Sequence, residues 1–274
     1  MRNLGIYSFK EVLFINGELG LRVLDHVLNI NSEIILIFIN SSKKRNHFYK
    51  EHVKEMLIKY SKNVEIVEWN KNELLNYKDK MMTFSENLIA TSVLFGHKIP
   101  NFLLQVFNGR AINLHPSLLP SGKGAHPIPW AIIDGAKQGV SIHLINEKLD
   151  EGDLIFQKEV EVTSALNSET IYDLCMAELF SGYLEVREYV DENKNFPRKI
   201  EMNKQYLSSF HKLRDLDDKS KIYADEIGSF SSFVSLVQAN DFGIKRSIRY
   251  IDKSGTIYKL KLLFENDNNS SEVI

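Results

Sequence analysis

Short apolar runs at residues 34–40, 64–67, 88–94 and 111–114, with an earlier one at 4–7, are separated by amphipathic stretches at 17–28 and 45–60. This alternation constrains the fold more than any other feature of the chain. A run of four to seven apolar residues fits a strand buried on both faces, and a helical stretch before the next strand makes the pair parallel through a crossover. The expectation is an α/β domain around a mainly parallel, twisted sheet. Further strands are expected at residues 141–144 and 153–162. The stripe Tyr172, Cys175, Met176, Leu179, Phe180 and Tyr183, opened by Asn167-Ser168-Glu169, predicts the helix that closes the domain.

After Pro197 the pattern changes. Residues 208–221 are polar and charged without helical or alternating period, which predicts a linker. Beyond it, residues 225–238 predict a helix, and residues 244–251 and 256–263 predict a β-hairpin around Asp252-Lys253-Ser254-Gly255. The chain divides accordingly into a main unit over residues 1–205 and a small C-terminal segment over 206–274. One helix and one hairpin bury too little alone, so the segment is expected to pack on the main unit or on a second subunit. Residues 265–274 are expected to fray.

Composition excludes several classes. The 274 residues are 43% hydrophobic and 26% charged, which suits a globular protein, and a formal net charge of −2 gives no basic face for nucleic acid. The ten Lys/Arg against six Asp/Glu in residues 41–80 fall opposite Tyr49, Val53, Met56, Leu57 and Tyr60 at helical spacing, so they read as a solvated helix face. Cys175 is the single cysteine, which rules out an intramolecular disulfide and a cysteine-based zinc site. The opening Met-Arg-Asn-Leu-Gly-Ile-Tyr carries no signal-peptide pattern, and the apolar run at 34–39 is too short to span a bilayer. A cytoplasmic protein without membrane insertion is expected.

The chemistry gathers in one stretch. Asn113-Leu114-His115 ends an apolar run and is followed by Pro-Ser-Leu-Leu-Pro, by Gly124-Ala125-His126 and by Leu149-Asp150-Glu151-Gly152-Asp153. An amide N–H can stabilise a developing oxyanion, an imidazole can donate or accept a proton, and a carboxylate can orient the imidazole or take a proton from an attacking amine. No Ser or Cys here is flanked as an activated nucleophile, so the substrate itself is the simpler attacking group. Taken singly, Asn113 reads as a turn cap, His115 as a core imidazole and Asp150 as a turn carboxylate. Taken together at the carboxyl end of a strand, they read as a site. His115, His126, His143 and Asp150 lack compact ligand spacing, so no metal is expected.

The blocks Asn113-Leu114-His115-Pro116-Ser117-Leu118-Leu119-Pro120, Gly124-Ala125-His126-Pro127, Gly139-Val140-Ser141-Ile142-His143 and Leu149-Asp150-Glu151-Gly152-Asp153 resemble, in order and spacing, the folate-dependent formyltransferase family. The resemblance implies a Rossmann-like domain, 10-formyltetrahydrofolate as cosubstrate, and Asn113, His115 and Asp150 as the catalytic trio. It also implies a pterin pocket between Val93-Leu94-Phe95-Gly96 and the loop ending at Asp150, with Val93, Phe95, Gly96 and Asp150 holding the cosubstrate, largely through backbone. Asp153 is the rival carboxylate, given a structural role by its place at the start of the next strand.

Lys123-Gly124-Ala125-His126-Pro127, Trp130-Ala131-Ile132 and the tail segment Phe210-His211-Lys212-Leu213-Arg214 resemble the nucleotide-linked sugar N-formyltransferases. This implies transfer to the primary amine of a nucleotide-linked amino deoxysugar, dTDP-linked in the first instance, for lipopolysaccharide O-antigen or other surface polysaccharide. Lys123, His126 and Trp130 then become acceptor-side residues, and a homodimer joined near the hairpin is expected. The alternatives are a methionyl-tRNA or glycinamide ribonucleotide formyltransferase, a formyltetrahydrofolate hydrolase, or a non-catalytic folate-binding protein.

Overall fold

A computed structural model describes residues 9–40, 46–163, 166–223, 228–243 and 246–262. The chain runs β1 (Lys10–Ile15), α1 (Gly17–Asn29), β2 (Glu33–Ile39), α2 (Asn46–Lys59), β3 (Glu65–Glu68), α3 (Leu75–Met82), β4 (Leu88–Val93), α4 (Asn101–Leu104), β5 (Ala111–His115), β6 (Lys123–Gly124), α5 (Pro127–Ile133), β7 (Gly139–Leu144), β8 (Leu154–Glu159) and α6 (Ser168–Asn193). The C-terminal part adds β9 (Phe210–His211), α7 (Asp215–Asp218), β10 (Lys221–Tyr223), α8 (Phe230–Asn240), β11 (Ile248–Ile251) and β12 (Ile257–Leu260).

Among the described residues the main sheet has seven strands in the order β3-β2-β1-β4-β5-β7-β8. The pairings from β3 through β5 are parallel, and β7 and β8 run antiparallel at one edge. Because side chains alternate across a strand, β1 serves both faces. Leu13 and Ile15 join the cluster under α1, α2 and α6, whereas Val12 and Phe14 join the opposite one with Phe38, Trp69, Phe95 and Phe107. Phe14 stacks on Phe38 at 4.8 Å.

The expected strand at residues 4–7 lies outside the described residues. The first strand described is β1, which the sequence pattern did not bring out because it begins with Lys10-Glu11. Glu11 is nonetheless fully buried, ion-paired with Arg187 of α6. Helix α6 starts as expected, with the Asn167 side chain accepting the Thr170 N–H at 3.0 Å. It buries Ile171, Cys175, Met176, Leu179, Tyr183, Val186 and Val190, each worth about 1.5–3 kcal/mol on full burial for the larger side chains.

The C-terminal segment packs on the main unit. Ser168 Oγ donates to Ala239 O at 2.8 Å and Asn167 Nδ2 donates to Asp241 Oδ2 at 3.0 Å, fixing α8 to the start of α6. Ile222, Val237 and Ile248 form a small core of their own. The expected helix is α8, the expected hairpin is β11–β12, and residues 265–274 lie outside the described residues. The expectation of a linker over residues 208–221 is corrected: this stretch holds β9, α7 and the start of β10. It is ordered by backbone pairing, which leaves no hydrophobic period in the sequence. No helix among the described residues is long and apolar enough to cross a membrane.

Candidate active site

The strand order reverses between β1 and β4, since β2 lies on one side of β1 and β4 on the other. Ligands of such sheets bind in the crevice outside the carboxyl ends of the strands at that point. The neighbouring strand β5 ends there in Asn113-Leu114-His115. Ile112 and Leu114 point into the core, which turns Asn113 and His115 to the other face.

Pairing with β7 sets the two residues. Asn113 lies opposite His143 and His115 opposite Ser141. The His143 Nδ1–H donates to Leu144 O at 2.8 Å, so its Nε2 accepts from Asn113 Nδ2 at 3.2 Å. That fixes the amide and leaves its second N–H uncommitted to His143. Ser141 holds the turn after His115, donating to Ser117 O at 2.6 Å and accepting the Leu119 N–H at 3.1 Å.

The chain returns over this strand end twice. The first return places Gly122 O 2.8 Å from His115 Nε2, so Nε2 carries the proton and the neutral ring keeps its lone pair on Nδ1. The second brings the Asp150 loop. Asp150 has φ 54° and is buried; Oδ2 accepts the Gly124 N–H at 2.8 Å. Oδ1 lies 3.8 Å from His115 Nδ1 and 3.6 Å from His143 Nε2. A Cβ on Gly152 would sit 1.6 Å from Leu144 O, so the sharp return after Asp150 admits only glycine. Holding Asp150 in the left-handed region costs about 1–3 kcal/mol, a strain typical of sites where the backbone aims a functional group.

Charge follows from these contacts. Burial lowers the His115 pKa, and it outweighs the opposing pull of Asp150 and the Gly122 carbonyl, so the ring is neutral near pH 7. Burial would raise Asp150, but His115, His143 and the Gly124 N–H beside it together bring it down to about 2. The site therefore holds a neutral imidazole with its acceptor nitrogen facing a carboxylate, beside an oriented amide donor.

The structure brings Asn113, His115 and Asp150 together, and it adds His143, whose role the sequence left open. The signal for His143 is the strand register, which a sequence does not display. Of the residues expected to hold the cosubstrate, Val93 and Phe95 have side chains buried in opposite core clusters, which leaves only their backbone for such a contact. Leu94 (φ 50°) and Gly96 (φ 77°) turn that backbone out of the sheet, and Asn16 and Asn40 hold it by donating to Leu94 O and Phe95 O. Asp153 ion-pairs with Lys199 at 2.7 Å on the surface.

Of the residues expected on the acceptor side, Lys123 pairs with Glu151 at 2.9 Å. Trp130 is buried, with one ring face covered by His211 at 3.9 Å, and is therefore part of the packing rather than an open stacking surface. His126 is half-buried at the N-cap of α5 with φ 56°; burial, then the charge of Arg246, lowers its pKa. Among the described residues no group of three or more His, Cys, Asp or Glu is disposed to hold a metal ion.

The chain is similar to known proteins in sequence and in fold. A methionyl-tRNA formyltransferase of Clostridioides difficile (strain 630) is 28% identical over 201 residues, covering 72% of this chain and 64% of that protein. The chain thus spans less than two thirds of that relative's length. A 4-N formyltransferase from Francisella tularensis superimposes with a TM-score of 0.73 at 21% identity, over 95% of this chain and 98% of the other. An N-formyltransferase from Helicobacter canadensis, in complex with folinic acid and dTDP-3-aminofucose, gives a TM-score of 0.63 at 13% identity, over 85% of this chain and 80% of the other. The family model described as Formyl transferase matches residues 14–186, which include every residue of the Asn113–His115–Asp150 site, and the chain belongs to that family.

Proposed function

We propose that this protein transfers a formyl group from 10-formyltetrahydrofolate to the primary amine of a nucleotide-linked amino deoxysugar. The observation that carries the reading is the convergence of Asn113, His115 and Asp150 at the carboxyl end of β5, beside the strand-order reversal. The Leu94–Phe95–Gly96 segment, with positive φ at Leu94 and Gly96, is the backbone proposed to hold the pterin ring. The donor supplies the activated formyl carbon.

Asn113 offers its second amide hydrogen to the oxygen that gains charge as the amine adds to the formyl carbon, a contribution of about 3–4 kcal/mol for a well-aimed donor. His115 already gives its Nε2–H to Gly122, so its part is acceptance at Nδ1 and not donation to the oxyanion. Asp150, ionised and facing that nitrogen, forms with it the station that takes the ammonium proton; the tetrahedral carbon then collapses, its bond to the folate nitrogen breaks, and that nitrogen takes the proton back as tetrahydrofolate leaves. Burial of both groups keeps bulk water from competing.

An amino-sugar acceptor is supported by the net charge of −2, which is poorly suited to a tRNA, and by the Lys123–Pro127 and Phe210–Arg214 resemblance. A dTDP link, a homodimer and a role in surface polysaccharide complete the proposal. Tetrahydrofolate release is measured with dTDP- and UDP-linked 3-amino and 4-amino deoxysugars, glycinamide ribonucleotide, methionyl-tRNA and no acceptor. Release that depends on an amino sugar supports the proposal. Release with tRNA, the ribonucleotide or no acceptor overturns it.

A further inference from the structure

The stretch Ser209–His211 lies against the two peptide groups that hold the catalytic pair. Gly122 donates its N–H to Ser209 Oγ at 2.8 Å while its C=O accepts from His115 Nε2, also at 2.8 Å. The next residues pair in parallel with the stretch: Lys123 N–H donates to Ser209 O at 3.0 Å and Ala125 N–H to His211 O at 2.9 Å. Between them Gly124 turns its own N–H to Asp150. A Cβ on Gly124 would lie 2.3 Å from His211 O, so the two backbones are in direct contact.

Hydrophobic burial does not explain this attachment. Leu207, Phe210 and Leu213 are 83%, 50% and 68% exposed. What anchors the stretch is backbone pairing and the stack of His211 on Trp130. A segment that leaves its apolar side chains in water and spends its hydrogen bonds on a catalytic loop has a positional function.

We infer that Ser209–His211 is a strap in which Ser209 is a positioning residue: its hydroxyl fixes the Gly122 peptide, whose carbonyl fixes the tautomer and direction of His115. This rests on the reading of Asn113, His115 and Asp150 as the reacting site. The strap ties the C-terminal segment to the chemistry. Loss of the hydroxyl frees the Gly122 peptide to rotate, and His115 then populates both neutral tautomers.

The test is Ser209→Ala with Ser209→Thr, which keeps the hydroxyl. Each is read by kcat, by KM for both substrates, by thermal unfolding, and by the ring-nitrogen chemical shifts of His115, assigned by comparison with His115→Gln. Ser209→Ala should lower kcat about fivefold to tenfold, leave both KM values within about twofold, unfold within a few degrees of the parent, and move the His115 shifts from a single Nε2–H tautomer toward a mixture. Ser209→Thr should restore kcat and the single tautomer. Unchanged kcat and unchanged His115 shifts in Ser209→Ala overturn the strap. A fall in kcat that comes with an unchanged tautomer reduces Ser209 to a structural role and overturns it equally. The site reading fails separately, if Asn113→Ala and Asp150→Asn keep full activity.

Discussion

Asp150→Asn isolates a charge with little change of shape. The asparagine retains an oxygen that can accept the Gly124 N–H, now given to Oδ2 at 2.8 Å, so the loop keeps its anchor. The negative charge facing His115 Nδ1 and His143 Nε2 at 3.8 and 3.6 Å is lost. Bringing the carboxyl from its ordinary 3.8 to about 2 corresponds to about 2 kcal/mol of preference for the ionised form, because each pKa step of one is worth 1.36 kcal/mol. A depressed carboxylate pKa stabilises the fold above the unfolded value, and this contribution is lost as pH falls through the folded one. The parent should therefore lose up to about 2 kcal/mol between about pH 4 and pH 2, and Asp150→Asn should lack that part of the acid dependence. Catalysis is hit harder. Removing a positioned general base costs about 10²–10⁴ in rate, so kcat for amine formylation should drop at least about a hundredfold while donor affinity is kept. Steady-state kinetics with donor binding by fluorescence and acid denaturation by circular dichroism measure all three. A variant within about threefold of parental kcat would refute the proton-acceptor role, and a loss confined to KM would refute it as well.

Asn113→Ala removes the oriented amide donor and should lower kcat about 10²–10³-fold with donor affinity intact, as stopped-flow kinetics and donor titration will show. Because the His115 pKa is depressed by burial and the neutral ring is the working form, kcat/KM should stay level as pH falls through 6.5 and decline only below it; a rate that rises on acidification contradicts the assignment. The same depression makes stability fall as pH drops below 6.5, since the unfolded state takes up a proton before the native state does, and urea unfolding at two pH values will show the sign. Arg187→Met strands the fully buried Glu11 and should cost about 3–5 kcal/mol in chemical denaturation, with little change in kcat for the folded fraction.

Much of the site was legible because it is local. Asn113 and His115 share a strand end, Asp150 sits in a turn whose Gly152 is sterically required, and the blocks around them keep their order. What could not be read is what depends on contacts between distant residues. His143 is aimed by strand register, opposite Asn113. Ser209 lies 87 residues from its partner Gly122, and its polar neighbours read as a linker because backbone pairing has no hydrophobic period. Strand β1 was hidden by Lys10-Glu11, since a buried glutamate is intelligible only once Arg187 is placed beside it. Trp130 was expected on the acceptor side, and one of its ring faces is taken by His211, another residue remote in sequence.

The most direct test follows an isotopically labelled formyl group from 10-formyltetrahydrofolate during turnover with the amino-sugar nucleotide that best stimulates tetrahydrofolate release. The label should appear on the sugar amine as a formamide in step with tetrahydrofolate, and Asn113→Ala and Asp150→Asn should suppress both together. Label recovered as free formate, or undiminished transfer by either variant, would contradict direct amine attack at the Asn113–His115–Asp150 site.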